Sequence, residues 1–257
     1  MDRDGTPGRY RELAPPPELR EHLLCGWTLE VGALSTDAVL PDGCMDIVWR
    51  AGRGLIAAGP DTGPNPASRR PGSTVVGVRF RPGAGPAMLG VPAEELRDLR
   101  VSLTELWGDG AERLEDRLDG AGSARARLEL LRRELHRRLA RAERPDPLVA
   151  AAVMRLYSND PGRVGALGDA LGIGERQLRR RFHAAVGYGP KTLARVLRFQ
   201  RLLALCARRG WARGELARLA LDAGYADQAH MTAEVTRLAG RPPTRLLATR
   251  PAVTAGT

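Results

Sequence analysis

Over the first third of the chain, apolar residues gather in short runs of strand length. The runs are Leu23–Glu30, Met45–Arg50, Gly54–Ala58 and Thr74–Phe80. Turn-forming stretches separate them: Pro41-Asp42-Gly43, Gly59–Pro66, and a loop from Pro66 to Gly72. Short runs with frequent turn signals predict a small β-barrel or sandwich. From Ala93 the pattern becomes helical. Ser102-Leu103-Thr104-Glu105 has the order of a capped helix start, and Ala111–Leu118 and Ala124–Ala140 follow. Leu128, Leu131, Leu135 and Leu139 repeat at spacings of 3, 4 and 4, one apolar stripe of a helix. The stripe suits either the core or an oligomer interface, and the arginines on the other faces read as solvated surface. Arg144-Pro145-Asp146-Pro147 closes the pattern, because two prolines in four residues break a helix. A linker is placed at 141–147.

Beyond the linker strand signals vanish and an internal repeat appears. Leu167, Gly172, Ile173, Glu175, Leu178, Phe182, Gly187, Pro190 and Leu193 match Leu219, Gly224, Tyr225, Asp227, Met231, Val235, Gly240, Pro243 and Leu246. The offset is 52 up to Asp227 and 53 afterwards, which places one inserted residue just after the turn. Each copy has the logic of a helix-turn-helix. A glycine that tolerates positive φ ends one helix, Ile173 or Tyr225 plugs the corner, and Glu175 or Asp227 opens the next helix near its positive end. Lys191–Arg208 reads as one long helix between the copies.

Charge sharpens this division. The 257 residues carry a formal net charge of +10. Residues 1–143 hold 21 basic and 22 acidic side chains, a net of −1; residues 144–257 hold 19 and 8, a net of +11. A local excess of this size points to nucleic acid or another anionic surface. All basic residues but Lys191 are arginines, a bias that makes arginine number alone uninformative. The outward face of the first copy's second helix carries Arg176, Gln177, Arg179 and Arg180, whose forks match guanine edges or phosphates. The second copy presents Gln228, Ala229, Thr232 and Ala233, suited to adenine and to thymine methyls. His230 fits a phosphate donor or a capping role equally. No run of 18 apolar residues predicts a membrane span. The first residues lack a signal-peptide pattern. Cys25, Cys44 and Cys206 fit a reducing compartment better than a disulfide framework. Together these predict a cytoplasmic location.

Residues 147–249 resemble the double helix-turn-helix DNA-binding domain of AraC/XylS-type transcriptional regulators. The resemblance is carried by Ala170-Leu171-Gly172-Ile173, Leu178-Arg179-Arg180-Arg181-Phe182, Val186-Gly187-x-x-Pro190, Gly224-Tyr225-Ala226-Asp227-Gln228-Ala229-His230-Met231 and Gly240-x-x-Pro243. It implies a seven-helix unit whose two recognition helices enter successive major grooves of double-stranded DNA. In this chain the base-facing positions fall on Arg176, Arg179 and Arg180 and on Gln228, Ala229, Thr232 and Ala233. Arg181 stands where the family often has an apolar residue. Ala233 and Val235 replace a frequent arginine and a frequent phenylalanine, so the second unit either reads bases or positions the protein on the backbone.

Leu40-Pro41-Asp42-Gly43-Cys44-Met45-Asp46-Ile47-Val48 and Val76-Gly77-Val78-Arg79-Phe80-Arg81-Pro82-Gly83-Ala84 look like the N-terminal domain of one AraC-type subgroup, similar to a small cupin-like barrel. The expected fold is therefore α+β and multidomain. A β-rich part (9–90) and helices (93–141) form a sensing or dimerising unit over 1–143, followed by an all-α DNA-binding unit over 147–250. The resemblance names no effector; a small-molecule effector, a second copy in a homodimer and RNA polymerase are candidate partners. Trp27, Asp42, Asp46, Trp49, Arg79 and Arg81 are candidates for an effector pocket; Arg79 is equally suited to pair with Asp46. A cupin enzyme would need converging metal ligands, and only His22 and His136 lie outside the C-terminal unit. No catalytic residue, metal or cofactor is assigned. The alternatives are a cupin-like enzyme with a DNA-binding appendage and a nonspecific architectural DNA binder.

Overall fold

The computed structural model describes residues 8–32, 38–158, 166–211 and 213–248. Six strands pair antiparallel in one sheet: β1 (Arg9–Leu13), β2 (Leu23–Glu30), β3 (Asp46–Arg50), β4 (Gly54–Ala58), β5 (Thr74–Phe80) and β6 (Arg100–Ser102). Their order is β1-β2-β5-β3-β4-β6. The four apolar runs are the four central strands. The edges β1 and β6 add to them, and they are the strands the apolar pattern misses. An edge strand has fewer neighbours to bury its side chains and tolerates polar ones, and β1 reads Arg-Tyr-Arg-Glu-Leu.

Strand alternation divides the side chains between two faces. Ile47, Trp49, Val76, Val78 and Phe80 lie in a core beneath four helices: α1 (Gly85–Leu89), α2 (Leu103–Trp107), α3 (Asp109–Asp119) and α4 (Ala124–Leu139). The α4 stripe closes this core. Leu128, Leu131 and Leu135 are fully buried, and Leu139 packs at the margin. A Cβ on Gly26 of β2 would lie 2.7 Å from Leu128 Cδ1, so the glycine is what lets the helix sit on the sheet. That excludes the oligomer-interface reading of the stripe. Ser102 and Ser123 cap α2 and α4 by accepting from Thr104 N and Ala126 N. Nor are the α4 arginines merely solvated. Arg127 stacks 4.4 Å from the Trp49 ring, Arg138 stacks 3.5 Å from the Trp107 ring, and Arg132 donates to the Leu13 and Ala14 carbonyls.

The second core is helical: α5 (Pro147–Tyr157), α6 (Leu167–Ala170), α7 (Glu175–Val186), α8 (Pro190–Arg209), α9 (Leu216–Asp222), α10 (Gln228–Ala239) and α11 (Pro243–Ala248). These are seven helices among the described residues. Asp146 caps α5 through Leu148 N and Val149 N, so the linker ends in a helix start. Positions 249–250 of the expected DNA-binding unit lie outside the described residues, as do 1–7 at the other end.

The two units meet closely. Leu40 packs against the helical core, and Gln200 Nε2 donates to the Pro41 carbonyl at 2.6 Å. A Cβ on Gly43 (φ +85) would lie 2.8 Å from Leu193 Cδ1 of α8. The Pro41-Asp42-Gly43 turn is therefore an inter-unit contact as well as a strand connection.

Candidate nucleic-acid interface and effector cavity

In both copies of the repeat, helices of equal length follow a glycine of positive φ. Gly172 has φ +67 and Gly224 φ +88, and α7 and α10 each span 12 residues. Tyr225 is buried at its corner, and Ile173 packs against the same core. The register differs from the sequence alignment in one respect. Asp227 is the N-cap of α10, accepting from His230 N at 2.7 Å, whereas the N-cap of α7 is Gly174 and Glu175 is already helical. Asp227 thus corresponds to Gly174, and the inserted residue, Ala226, lies inside the turn. A glycine and an aspartate cap the same position by different means, and for that reason the alignment slipped.

Leu178, Phe182 and Val186 on α7, and Met231, Val235 and Leu238 on α10, face the core. The opposite faces are open. Arg176, Gln177, Arg179 and Arg180 are exposed, as are Gln228, Ala229 and Ala233; Thr232 is half-buried. The Thr232 hydroxyl donates to the Gln228 carbonyl at 2.8 Å, which leaves its methyl as the outward contact. Among the described residues no carboxylate pairs with Arg176, Arg179 or Arg180. Other arginines of this unit are held internally. Arg181 reaches Asp146 at 2.6 Å, which accounts for a charged residue at an apolar family position by an ion pair to the linker. Arg195 and Arg198 bind the buried Glu234 at 3.0 and 3.5 Å, fastening α10 to α8. His230 meets Glu234 at 3.4 Å and stands edge-on to Tyr225, a packing role. His183 pairs with Glu94 of the N-terminal unit at 3.4 Å.

The other face of the sheet borders a cavity of about 210 Å³. Trp27, Leu29, Val48, Ile56 and Val75 form its apolar wall; Asp42, Asp46 and Arg79 form one polar region, and Arg50, Arg69 and Arg100 another. Gln200 and Leu203 of α8, together with Arg241, complete it from the helical unit. Four of the six expected pocket residues line this space. Trp49 and Arg81 do not. Alternation along β3 sends Asp46, Val48 and Arg50 to the cavity and Trp49 to the helix-covered face, where its Nε1 donates to Asp119 at 2.8 Å. Arg81 follows the end of β5, and its Nε donates to the Arg20 carbonyl at 2.7 Å. Arg50, Arg69, Arg100 and Arg241 line the space as well and are not among the expected residues. Period-two alternation from Asp46 predicts Arg50, but Arg241 is brought there only by the docking of the two units.

Arg79 is buried among three carboxylates: Asp46 at 3.1 Å, Asp42 at 3.3 Å and Glu12 at 3.8 Å. Burial works against its charge, but the Asp46 and Asp42 carboxylates outweigh that and hold its pKa above the ordinary guanidinium value. Burial raises the Asp46 pKa, and Arg79 pulls it only part of the way back. Both the Arg79–Asp46 pair and a wall position are thus realised by one residue. Cys25 and Cys44 are buried, and burial pushes the Cys25 thiol up to about 12, so neither is an exposed thiolate. Among the described residues no cluster of three His, Cys, Asp or Glu is arranged to hold a metal ion. No helix among them is long and apolar enough to cross a membrane.

Residues 11–102 match the family model described as a domain of unknown function (DUF6597), and residues 167–249 match the model of a helix-turn-helix domain. No curated protein matches the chain in sequence. Among solved structures the chain is similar to ToxT from Vibrio cholerae O395, with 9% identity over 94% of this chain and 96% of that one at a TM-score of 0.44. It is similar also to unsaturated fatty acid bound ToxT from Vibrio cholerae strain SCE256, with 10% identity over 100% of both chains at a TM-score of 0.43. The paired turns, the α8 connection and the model match agree: the chain joins an N-terminal domain of unknown function to a C-terminal helix-turn-helix domain.

Proposed function

We propose that this protein is a sequence-specific transcriptional regulator that reads double-stranded DNA with α7 and α10 in successive major grooves, and that its N-terminal cavity takes a small-molecule effector. The observation that carries the reading is the pair of matched helices with open outer faces, fixed to one long helix. The α7 face concentrates three arginines without carboxylate partners among the described residues. Such cations repel one another in the free protein and gain on meeting phosphates or guanine edges. The α10 face is nearly neutral and contributes shape, the Gln228 amide and methyl contacts.

The DNA reading is tested by a mobility-shift titration of the fragment upstream of the protein's own coding sequence, with random DNA as competitor. A retained complex under roughly a thousandfold excess of competitor supports specific recognition. Equal competition by random DNA sinks it and favours the architectural reading. For the cavity, Trp27 supplies an intrinsic reporter, since its ring is part of the wall. Titration with a panel of small aliphatic and aromatic acids, amines and zwitterions should change its emission for one class, and W27F should abolish the change. A flat response to every class counts against an effector in this space.

A further inference from the structure

The connection from β4 to β5, which begins at Gly59, touches both helix-turn-helix units at once. Its Pro60 packs on Gly187, the residue that ends α7; a Cβ at Gly187 would lie 2.6 Å from Pro60 Cγ. Four residues later, Pro64 packs on Gly240, which ends α10; a Cβ there would lie 3.1 Å from Pro64 Cγ. Gly187 and Gly240 are equivalent positions of the internal repeat, and both have positive φ, +89 and +69. One short segment of the N-terminal unit therefore presses, with a proline ring at each end, on the same structural point of each helix-turn-helix.

The segment is held like a beam. Thr62 N and Oγ1 both donate to the Asp98 carboxylate, at 2.6 and 2.8 Å. Asp98 N donates back to the Pro60 carbonyl at 3.2 Å. Asp98 itself has φ +60, a left-handed conformation that is uncommon for a non-glycine residue and that aspartate tolerates better than most. Arg100 forks onto Asp61 at 2.6 and 3.0 Å, and Asn65 pairs with Val39 through the backbone. Four residues span at most about 14 Å, so the two proline contacts set an upper limit on the separation of the two helix ends. Within the helical unit, α8 and the shared core join α7 to α10, with Glu234 fastening α10 to Arg195 and Arg198 of α8; the 60–64 segment adds a second tie, from outside that unit, between the C-terminal ends of the two helices. Asn65 and Pro66 continue from the same segment into the wall of the effector cavity.

We propose that Pro60 and Pro64 are positioning residues for DNA reading: the 60–64 segment is a strut that fixes the spacing of α7 and α10, and thereby the separation of the two half-sites the protein accepts. The proposal rests on the reading of α7 and α10 as recognition helices. A strut transmits force only when both ends are seated, so loss of either contact should have the effect of losing both.

The test uses the full chain and a site selected by it from random-sequence DNA. Affinity is then measured on that site and on versions with one base pair added or removed between the two halves. Wild type should lose about two- to thirtyfold more affinity on the altered spacings than P60A/P64A does. Each single variant should match the double variant, while binding to an isolated half-site stays at the wild-type value. Pro64 is only half-buried, so P64A carries the test if P60A unfolds. A strict spacing profile that the variants keep overturns the strut alone. Additive single effects overturn it in favour of two independent contacts. A wild-type chain that selects no site overturns the regulator reading and the strut with it.

Discussion

At the scale of single residues, two kinds of arginine divide the work. Arg179 and Arg180 stand on the open face of α7 with no carboxylate partner among the described residues, and R179A or R180A should weaken the best DNA site by about 1–3 kcal/mol. If either loses affinity equally on all sequences, its contact is to phosphate. Arg195 and Arg198, by contrast, neutralise the buried Glu234. Glu234→Ala leaves both cations without their partner and should cost about 3 kcal/mol in a urea unfolding experiment. His22 supplies a pH signature. Burial lowers its pKa from the ordinary 6.5, partly offset by Glu21. The unfolded chain then binds a proton near pH 6.5 that the folded chain refuses. Stability therefore falls as pH drops below about 6.5, down to the folded pKa. Urea midpoints at about pH 7.5 and 5.5 should differ more for wild type than for H22L. Residue chemistry was legible where it is local. The repeat alone places Arg176, Arg179 and Arg180 on the outward side of the first copy's second helix, and the structure exposes them on α7. Trp49 and Arg81 were misplaced because strand alternation and the end of β5, not residue type, decide which way they face.

At the scale of elements, the apolar runs located four strands within one residue, because central strands bury both faces and cannot hide that in their sequence. The edges β1 and β6 carry polar residues, and their pairing partners are remote, so periodicity is silent about them. The α4 stripe was visible, but its destination was not. Only Gly26, which admits Leu128 onto β2, decides that the stripe covers the sheet. Leu131→Ala should accordingly destabilise the N-terminal unit by about 2–5 kcal/mol without changing the oligomeric state, as read by thermal unfolding and light scattering. An oligomer interface would give the opposite pattern: modest loss of stability and dissociation. The slipped register of the repeat has a similar cause. Gly174 and Asp227 are both good N-caps, and only the helix starts reveal that they are equivalents.

At the scale of the molecule, the net charge of +10 resolves into a nearly neutral N-terminal unit and a basic C-terminal one. Within the basic unit the charge is uneven: α7 presents arginines with no carboxylate partner among the described residues, and α10 an amide, a threonine and alanines. The two units touch through α8, through the 41–43 turn, through the 60–64 segment, and where Glu94 and Arg97 meet His183 and the Gly187 carbonyl at the end of α7. The cavity lies where those contacts meet the sheet. None of this docking is written in local periodicity, because the residues that meet, such as Gly43 and Leu193, Pro60 and Gly187, or Glu94 and His183, lie far apart in sequence. On the proposed function, one chain reads DNA with two unequal helices on one face of the duplex. Hydroxyl-radical footprinting of the full chain on its selected site is the decisive measurement. Two protected patches about ten base pairs apart on the same face are predicted. R179A should weaken one patch more than the other, and Q228A the reverse. A single patch, or uniform protection that follows no sequence, would contradict the claim.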